Sequence, residues 1–411
     1  MKSKNKLNKF TDQIAVIGGG RWSRVLLQVL CEIVPSSVEI SSHSKNNVLG
    51  MTKWSHEKGL RNRVRIFKNY PRISIGKSCA VIVANATEDH EKVVKWALSN
   101  YLPVLVEKPI SFDYNTTKSL INLASIKKTY LCASHVFLFA KYIDSFSKIV
   151  TKLNHVENVK VTWIDPQFEK RHGEVKKYDP AVPIFIDCLP HIISILDLFF
   201  PESNHMIQNI KLYKGGSQVK LYMLLSNTNC EINLVRNGSK RKRSFEIKTD
   251  KENLNLDFTN EPGKILFNNK LYKVDTPQKN EVKPLSGMLL AFLNGAAGGL
   301  KDIRIDTSRG LKSMKLIDQI SCFYEKEMLL WLNKKFSKKE RNVDSDIQYA
   351  LVELLYKFNH NTTVPIDQRI EYVYKNIKMF CETKRVYENK KITLELIQLI
   401  INRGKKEAFL V

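Results

Sequence analysis

The sequence predicts an α/β protein. The expected parts are an N-terminal doubly wound parallel sheet, a C-terminal α+β domain with an open antiparallel sheet, and a helical C-terminal extension. Three observations carry that expectation. A strand, a glycine turn, a helix and a second strand open the chain within residues 14–43. Short apolar runs then alternate with amphipathic helices as far as residue 133, the pattern of a parallel sheet covered on both faces. From residue 207 to 274 the chain reads as short strands separated by Gly, Asn and Lys turns, which suggests an antiparallel sheet. Boundaries fall at 1–134, 135–336 and 337–411.

Ile14–Ile17 is a buried apolar strand that runs straight into Gly18-Gly19-Gly20-Arg21-Trp22-Ser23. A helix follows with Val25, Leu26, Val29, Leu30 and Ile33 on one face, and it ends at Pro35. Val38–His43 is the second strand. Val81–Ala84, a helix with Val93, Val94, Ala97 and Leu98, the strand Leu102–Val106, a helix near 116–126 and the strand Tyr130–Ala133 continue the alternation. Past residue 135 come a helix near 139–153, a strand at 159–163, a polar loop to Pro183, and a helix from Leu189 that stops at Pro201. Strands are then expected at 210–213, 219–225, 231–235, 244–247, 254–258 and 265–267, with helices at 285–293 and 307–332. In the extension Ile347, Ala350, Leu351, Leu354, Leu355 and Phe358 fall at helical spacing, and a last helix runs from Thr393 to before Gly404.

At 411 residues, 43% hydrophobic and 26% charged, the chain has the composition of a globular protein with more than one core. No apolar run is long enough for a transmembrane helix, and residues 1–12 lack the apolar centre of a signal peptide. The seven cysteines are scattered, odd in number and form no C-x-x-C, which points to a reducing cytoplasm and to no metal site. The formal charge of +25 is spread along the chain rather than gathered in a patch, so no nucleic-acid or membrane partner is expected. The densest run, Lys240–Arg243, follows the turn dipeptide Asn237-Gly238 and reads as a solvated hairpin.

The candidate chemistry lies in three places. In Gly18-x-Gly20-x-x-Ser23, Gly18 supplies a tight turn and Gly20 lets a pyrophosphate approach. The helix opening at Arg21 and Trp22 offers its free N–H groups. The second strand ends in Ser41-Ser42-His43-Ser44-Lys45, with no carboxylate for the ribose hydroxyls of NAD. Hydroxyls and a lysine suit a 2′-phosphate, so NADP is favoured while NAD stays open. At the end of the strand Leu102–Val106, Glu107-Lys108-Pro109 places a cation where ligands of open α/β sheets bind. Asp187 and His191, four apart at a helix start, can share a face. A histidine that titrates near neutrality can exchange a proton while a nicotinamide exchanges a hydride.

Ile17–Trp22, Val106-Glu107-Lys108-Pro109 and Asp187-x-x-x-His191, in that order, resemble the glucose–fructose oxidoreductase/inositol dehydrogenase/rhizopine-catabolism (Gfo/Idh/MocA) superfamily. Ala84–His90 and Gly310–Ile317 are similar to two further family segments, and the likeness covers roughly residues 12–335. The resemblance implies an N-terminal Rossmann domain and a C-terminal sheet that forms a homo-dimer or tetramer. It implies cofactor contacts from Ala84 and Glu107, a substrate-polarising Lys108, an acid/base His191, and an Asp187 that positions substrate or tunes the other two. Ser23 replaces a family glycine, Ala86 replaces a common proline, and His135-Val136-Phe137-Leu138 replaces a polar, arginine-bearing segment. The extension has no family counterpart. The expected function is NAD(P)-dependent hydride transfer to or from a small polar molecule: a sugar derivative, a cyclitol, or a biosynthetic carbonyl or imine. The alternative is an NAD(P)-sensing regulator on the same fold.

Overall fold

The structure is a computed structural model, and it describes residues 13–70, 79–171, 174–175, 182–272, 282–337, 346, 349–350 and 353. The first half alternates strands and helices: β1 (Gln13–Ile17), α1 (Arg21–Ile33), β2 (Val38–Ser42), α2 (Lys45–Glu57), β3 (Val64–Lys68), β4 (Cys79–Val83), α3 (His90–Ser99), β5 (Val104–Val106), α4 (Tyr114–Ile126) and β6 (Leu131–Ala133). All pairings are parallel, in the order β3-β2-β1-β4-β5-β6. This is the Rossmann order, and the chain reverses direction across the sheet between β1 and β4. Every residue of β1 and β2 is buried, because helices cover both faces.

The second half holds α5 (Lys141–Val150), β7 (Asn158–Pro166), the short hairpin β8 (Lys170–Arg171) and β9 (Glu174–Val175), and α6 (Ile184–Phe199). There follow β10 (His205–Tyr213), β11 (Gln218–Leu225), β12 (Thr228–Gly238), β13 (Lys242–Lys248), β14 (Asn253–Asp257), β15 (Lys264–Phe267), β16 (Lys270–Tyr272), α7 (Pro284–Ala296) and α8 (Thr307–Ser337). Eight strands form one sheet, β10-β11-β12-β7-β13-β14-β15-β16.

Four expectations need correction. The sheet is mixed rather than wholly antiparallel, since β7 inserts between β12 and β13 and runs parallel to β12. Asn237-Gly238 is therefore not a hairpin turn: β12 and β13 do not pair, although Asn237 does take a positive φ of 62°. Helix α6 starts at Ile184 rather than Leu189, carrying Pro190 inside it. Five elements, α2, β3, β8, β9 and β16, match no expected element.

Helix α7 comes late in the chain yet joins the Rossmann core. Its Met288, Leu289, Phe292 and Leu293 are fully buried with Leu26, Leu30, Ile40 and Ile82. In the extension, Ala350 is fully buried as its periodicity implies, whereas the helix expected from Thr393 lies outside the described residues.

Candidate active site

The loops that leave β1 and β4 face each other across the point where strand order reverses, the usual ligand crevice of an open α/β sheet. Gly18 takes φ 153°, and a Cβ there would lie 2.5 Å from the Ala84 carbonyl oxygen. Gly20 caps α1 with no side-chain hydrogen bond, and a Cβ there would meet nothing within 4 Å. The first N–H groups of α1 thus face open space. Ser23 is fully buried and donates from Oγ to the Ala84 carbonyl at 3.0 Å. Its hydroxyl pins α1 to the end of β4, the close packing that a third glycine permits elsewhere. In the wall beside it, Asn85 Oδ1 is buried without a hydrogen-bond partner. An uncapped helix N-terminus over bare space, with an unsatisfied amide nearby, fits the phosphates and carboxamide of a nicotinamide dinucleotide.

The residues after β2 are not a loose polar loop. Ser44 caps α2 by accepting from the Asn47 N–H, and Lys45 is the first helical residue. Ser42 is buried and accepts from the Ser44 N–H at 3.3 Å, and His43 Nδ1 lies 3.1 Å from Asn69 Oδ1. None of the four lines the large cavity described next.

That cavity, about 880 Å³, brings together Arg21, Trp22, Ala84, Glu107, Lys108, Asp187 and His191. β5 ends at Val106, the Lys108–Pro109 peptide is cis, and His90 Nδ1 lies 2.9 Å from the Pro109 carbonyl. Glu107 is buried and accepts from Ser134 Oγ at 3.0 Å; burial pushes its carboxyl up, against the pull of Trp22, Lys108 and Ser134. Lys108 Nζ donates to Asp187 Oδ1 at 2.6 Å and to the Asp187 carbonyl at 2.8 Å. Burial alone would lower the Lys108 ammonium, but the charge and hydrogen bond of Asp187 outweigh it, so the amine is held above its usual value. The other carboxylate oxygen of Asp187 lies 3.5 Å from Arg236 Nη2, on β12.

His191 sits one helical turn on from Asp187. Its ring stacks 5.9 Å from Trp163 and meets Phe137 edge-on at 5.0 Å, and its Nδ1 is buried without a partner. Burial first, and the Lys108 charge second, push the imidazole well below its ordinary value. Both causes favour the uncharged ring.

Sequence reasoning missed Arg236 and Arg243. The run Lys240–Arg243 is not a solvated hairpin: Lys240 and Lys242 are exposed, whereas Arg243 is 2% exposed and Arg241 half-buried. Arg243 lies 4.1 Å over the Trp163 ring and pairs with Asp165; Arg241 reaches Glu169 at 3.3 Å. The signal was period-2 register. Ile232, Leu234 and Arg236 share the buried side of β12, as Arg243, Phe245 and Ile247 share that of β13. A basic residue in an inward register needs a buried acid.

Residues 13–135 match the model of the Gfo/Idh/MocA oxidoreductase family, NAD-binding Rossmann fold. No curated protein matches the chain in sequence. UDP-N-acetylglucosamine 3-dehydrogenase GnnA from Acidithiobacillus ferrooxidans is similar in structure, with a TM-score of 0.61 at 17% identity over 77% of this chain and 99% of its own. KijD10, a 3-ketoreductase from Actinomadura kijaniata in complex with NADP and TDP-benzene, has a TM-score of 0.62 at 14% identity over 75% and 96%. Biliverdin reductase from Synechocystis, in complex with biliverdin and NADP+, has a TM-score of 0.58 at 16% identity over 76% and 98%. These likenesses show the two-domain fold. The family match is to the Rossmann half, residues 13–135, and over the rest of the chain the likeness is one of fold.

Proposed function

We propose that the protein is an NAD(P)-dependent oxidoreductase acting on a small polar molecule, with Lys108, Asp187 and His191 as its catalytic residues. The observation that carries this reading is the cavity itself. It joins an open helix N-terminus to a lysine clamped by a carboxylate and to a neutral histidine one helical turn away. A bound nicotinamide supplies or takes the hydride. Lys108, kept cationic by Asp187, stabilises negative charge on the reacting oxygen or nitrogen. His191 accepts the substrate proton in the oxidising direction and returns it in the other. Phe137, Trp163 and Phe258 around His191 offer an apolar wall on which a ring can rest. A sensor would not need a lysine, a carboxylate and a neutral histidine around one cavity.

NADP is the preferred cofactor in this reading. Lys45 and the N-terminus of α2 stand after β2 without a carboxylate, and the Ser42 and Ser44 hydroxyls keep protons to donate. The protein is taken to work in the cytoplasm, consistent with the free thiols Cys31, Cys132, Cys188, Cys230 and Cys322, and as a homo-oligomer through its C-terminal sheet. Among the described residues no helix is long and apolar enough to cross a membrane, and no cluster of three or more His, Cys, Asp or Glu could hold a metal. The deciding experiment follows protein fluorescence during separate titrations with NADPH and NADH. Tighter NADPH binding, reversed in Ser44→Asp, is expected. Binding of neither nucleotide would overturn the reading.

A further inference from the structure

The extension that follows α8 makes a continuous polar connection to the catalytic pair. Arg236 is 4% exposed, and its guanidinium has partners on three sides. Nη1 donates to the Val182 carbonyl and to the Tyr349 hydroxyl, both at 3.0 Å, while Nη2 faces Asp187. The Tyr349 hydroxyl in turn lies within hydrogen-bond reach of the Glu353 carboxylate, which also accepts from the Tyr324 hydroxyl of α8. Glu353 and Arg236 are each 4% exposed, so an acid and a guanidinium are gathered where water is scarce, beside the half-buried Asp187. Such groups are retained only with good geometry on every side.

The backbone is shaped to receive this segment. Gly215 and Gly216 follow β10 with φ of 63° and 92°. A Cβ on Gly215 would lie 1.9 Å from the Asp346 carbonyl oxygen, and one on Gly216 would lie 2.2 Å from the Tyr324 hydroxyl. Ala350, beside the same turn, is fully buried.

We infer that the C-terminal extension is a positioning element of the catalytic pair: Tyr349 and Glu353 hold Arg236 against Asp187, and Arg236 fixes the carboxylate that grips Lys108. It rests on the oxidoreductase reading only for the word catalytic. Removing the extension's grip lets Arg236 move away from Asp187. The Asp187 charge then falls more fully to Lys108, and the repulsion between the two cations drops. Both changes hold the proton on Lys108 more tightly. The other ionisable groups facing that amine, Glu107 at the end of β5 and Cys188 and His191 on α6, are unchanged.

The readout needs no substrate. Acetic anhydride acylates only the unprotonated amine and releases acetate. Labelling of Lys108 at pH 9, with exposed Lys53 as internal reference, therefore reports its basicity by peptide mass spectrometry. Tyr349→Phe, which keeps the ring and loses the hydroxyl, is expected to lower Lys108 labelling at least about threefold, the effect of half a pKa unit. Gly215→Ala should act in the same direction by displacing the Asp346 backbone, and Arg236→Met should lower labelling further. Ile305→Val, a core truncation away from this network, should leave labelling at the wild-type level. Labelling unchanged in Tyr349→Phe, while Arg236→Met lowers it, would show that the extension only packs, and would overturn the inference. If Gly215→Ala does not fold, Tyr349→Phe still decides. Nucleotide titration of the wild type tests the oxidoreductase reading separately, so failure of one cannot be mistaken for failure of the other.

Discussion

Gly18 and Gly20 stand two residues apart and answer to different constraints. Gly18 has a positive φ and a carbonyl where its Cβ would be; Gly20 has neither. Gly18→Ala should therefore cost about 1–3 kcal/mol of stability. Gly20→Ala should melt within about 0.5 kcal/mol of wild type yet bind NADPH roughly tenfold more weakly, because its methyl group projects into the space over α1. Thermal melts paired with nucleotide titration separate the two, and equal loss of stability in both would refute the assignment of Gly20 to the ligand. His135 poses a different residue-scale question. It is 1% exposed with neither ring nitrogen hydrogen-bonded, and burial, then Arg309, push it down to about 4 from 6.5, against Asp306. The neutral ring is the form that folding favours, so its contribution is complete above pH 6.5 and is lost as pH falls through about 4. That loss is roughly 3 kcal/mol. His135→Phe, which keeps an aromatic ring and removes the titration, should flatten the fall in urea midpoint between pH 7 and pH 4. An unchanged slope would place the acid sensitivity elsewhere. Lys108, Asp187 and His191 were legible because each departs from the apolar pattern around it. Arg236 and Arg243 depart just as clearly, but their acids are supplied by α6 and β7, far off in sequence.

At the scale of elements, what was legible followed the strength of the local pattern. β1, β4 and β5 are continuous apolar runs and were read in place. β3, Val64–Lys68, is an edge strand in which only Val64 is buried, and α2 buries only Met51, Trp54 and Ser55 around Gly50. Neither carries enough periodicity to be seen. The insertion of β7 between β12 and β13 is a pairing across more than sixty residues, and no turn dipeptide encodes it. Contacts between elements hide in the same way. Asp318 of α8 accepts the Tyr114 N–H at the start of α4 at 3.0 Å, capping a Rossmann helix from the other half of the chain. Asp318→Ala leaves that part-buried N–H unsatisfied and should cost about 1–2 kcal/mol. Chemical denaturation measures this directly. A loss below about 0.3 kcal/mol would mean that Asp113, which caps the Thr116 N–H of the same turn, already holds the helix start.

At the scale of the whole molecule, α7 settles how independent the two halves are. The expected domain boundary near residue 134 follows the change from alternating to consecutive strands, and it says nothing of a later helix returning to the first core. Met288, Leu289, Phe292 and Leu293 do return, together with Ile305, and all are fully buried against the face of the Rossmann sheet that α1 covers. At roughly 1.5–3 kcal/mol for each buried side chain, the four from α7 supply at most about 6–12 kcal/mol. That is comparable to the entire stability of a domain. Removing α7 would also open the cavity, since Lys283–Ser286 at its start form part of the wall beside Trp22 and Glu107. The two halves should therefore unfold together. Calorimetry is expected to show one transition, with calorimetric and van't Hoff enthalpies in agreement. A fragment ending at residue 134 should expose the α7 groove, bind a hydrophobic dye and fail to bind NADPH. Two well-separated transitions, or a 1–134 fragment that melts cooperatively and binds the nucleotide, would show that α7 decorates the first core rather than completing it.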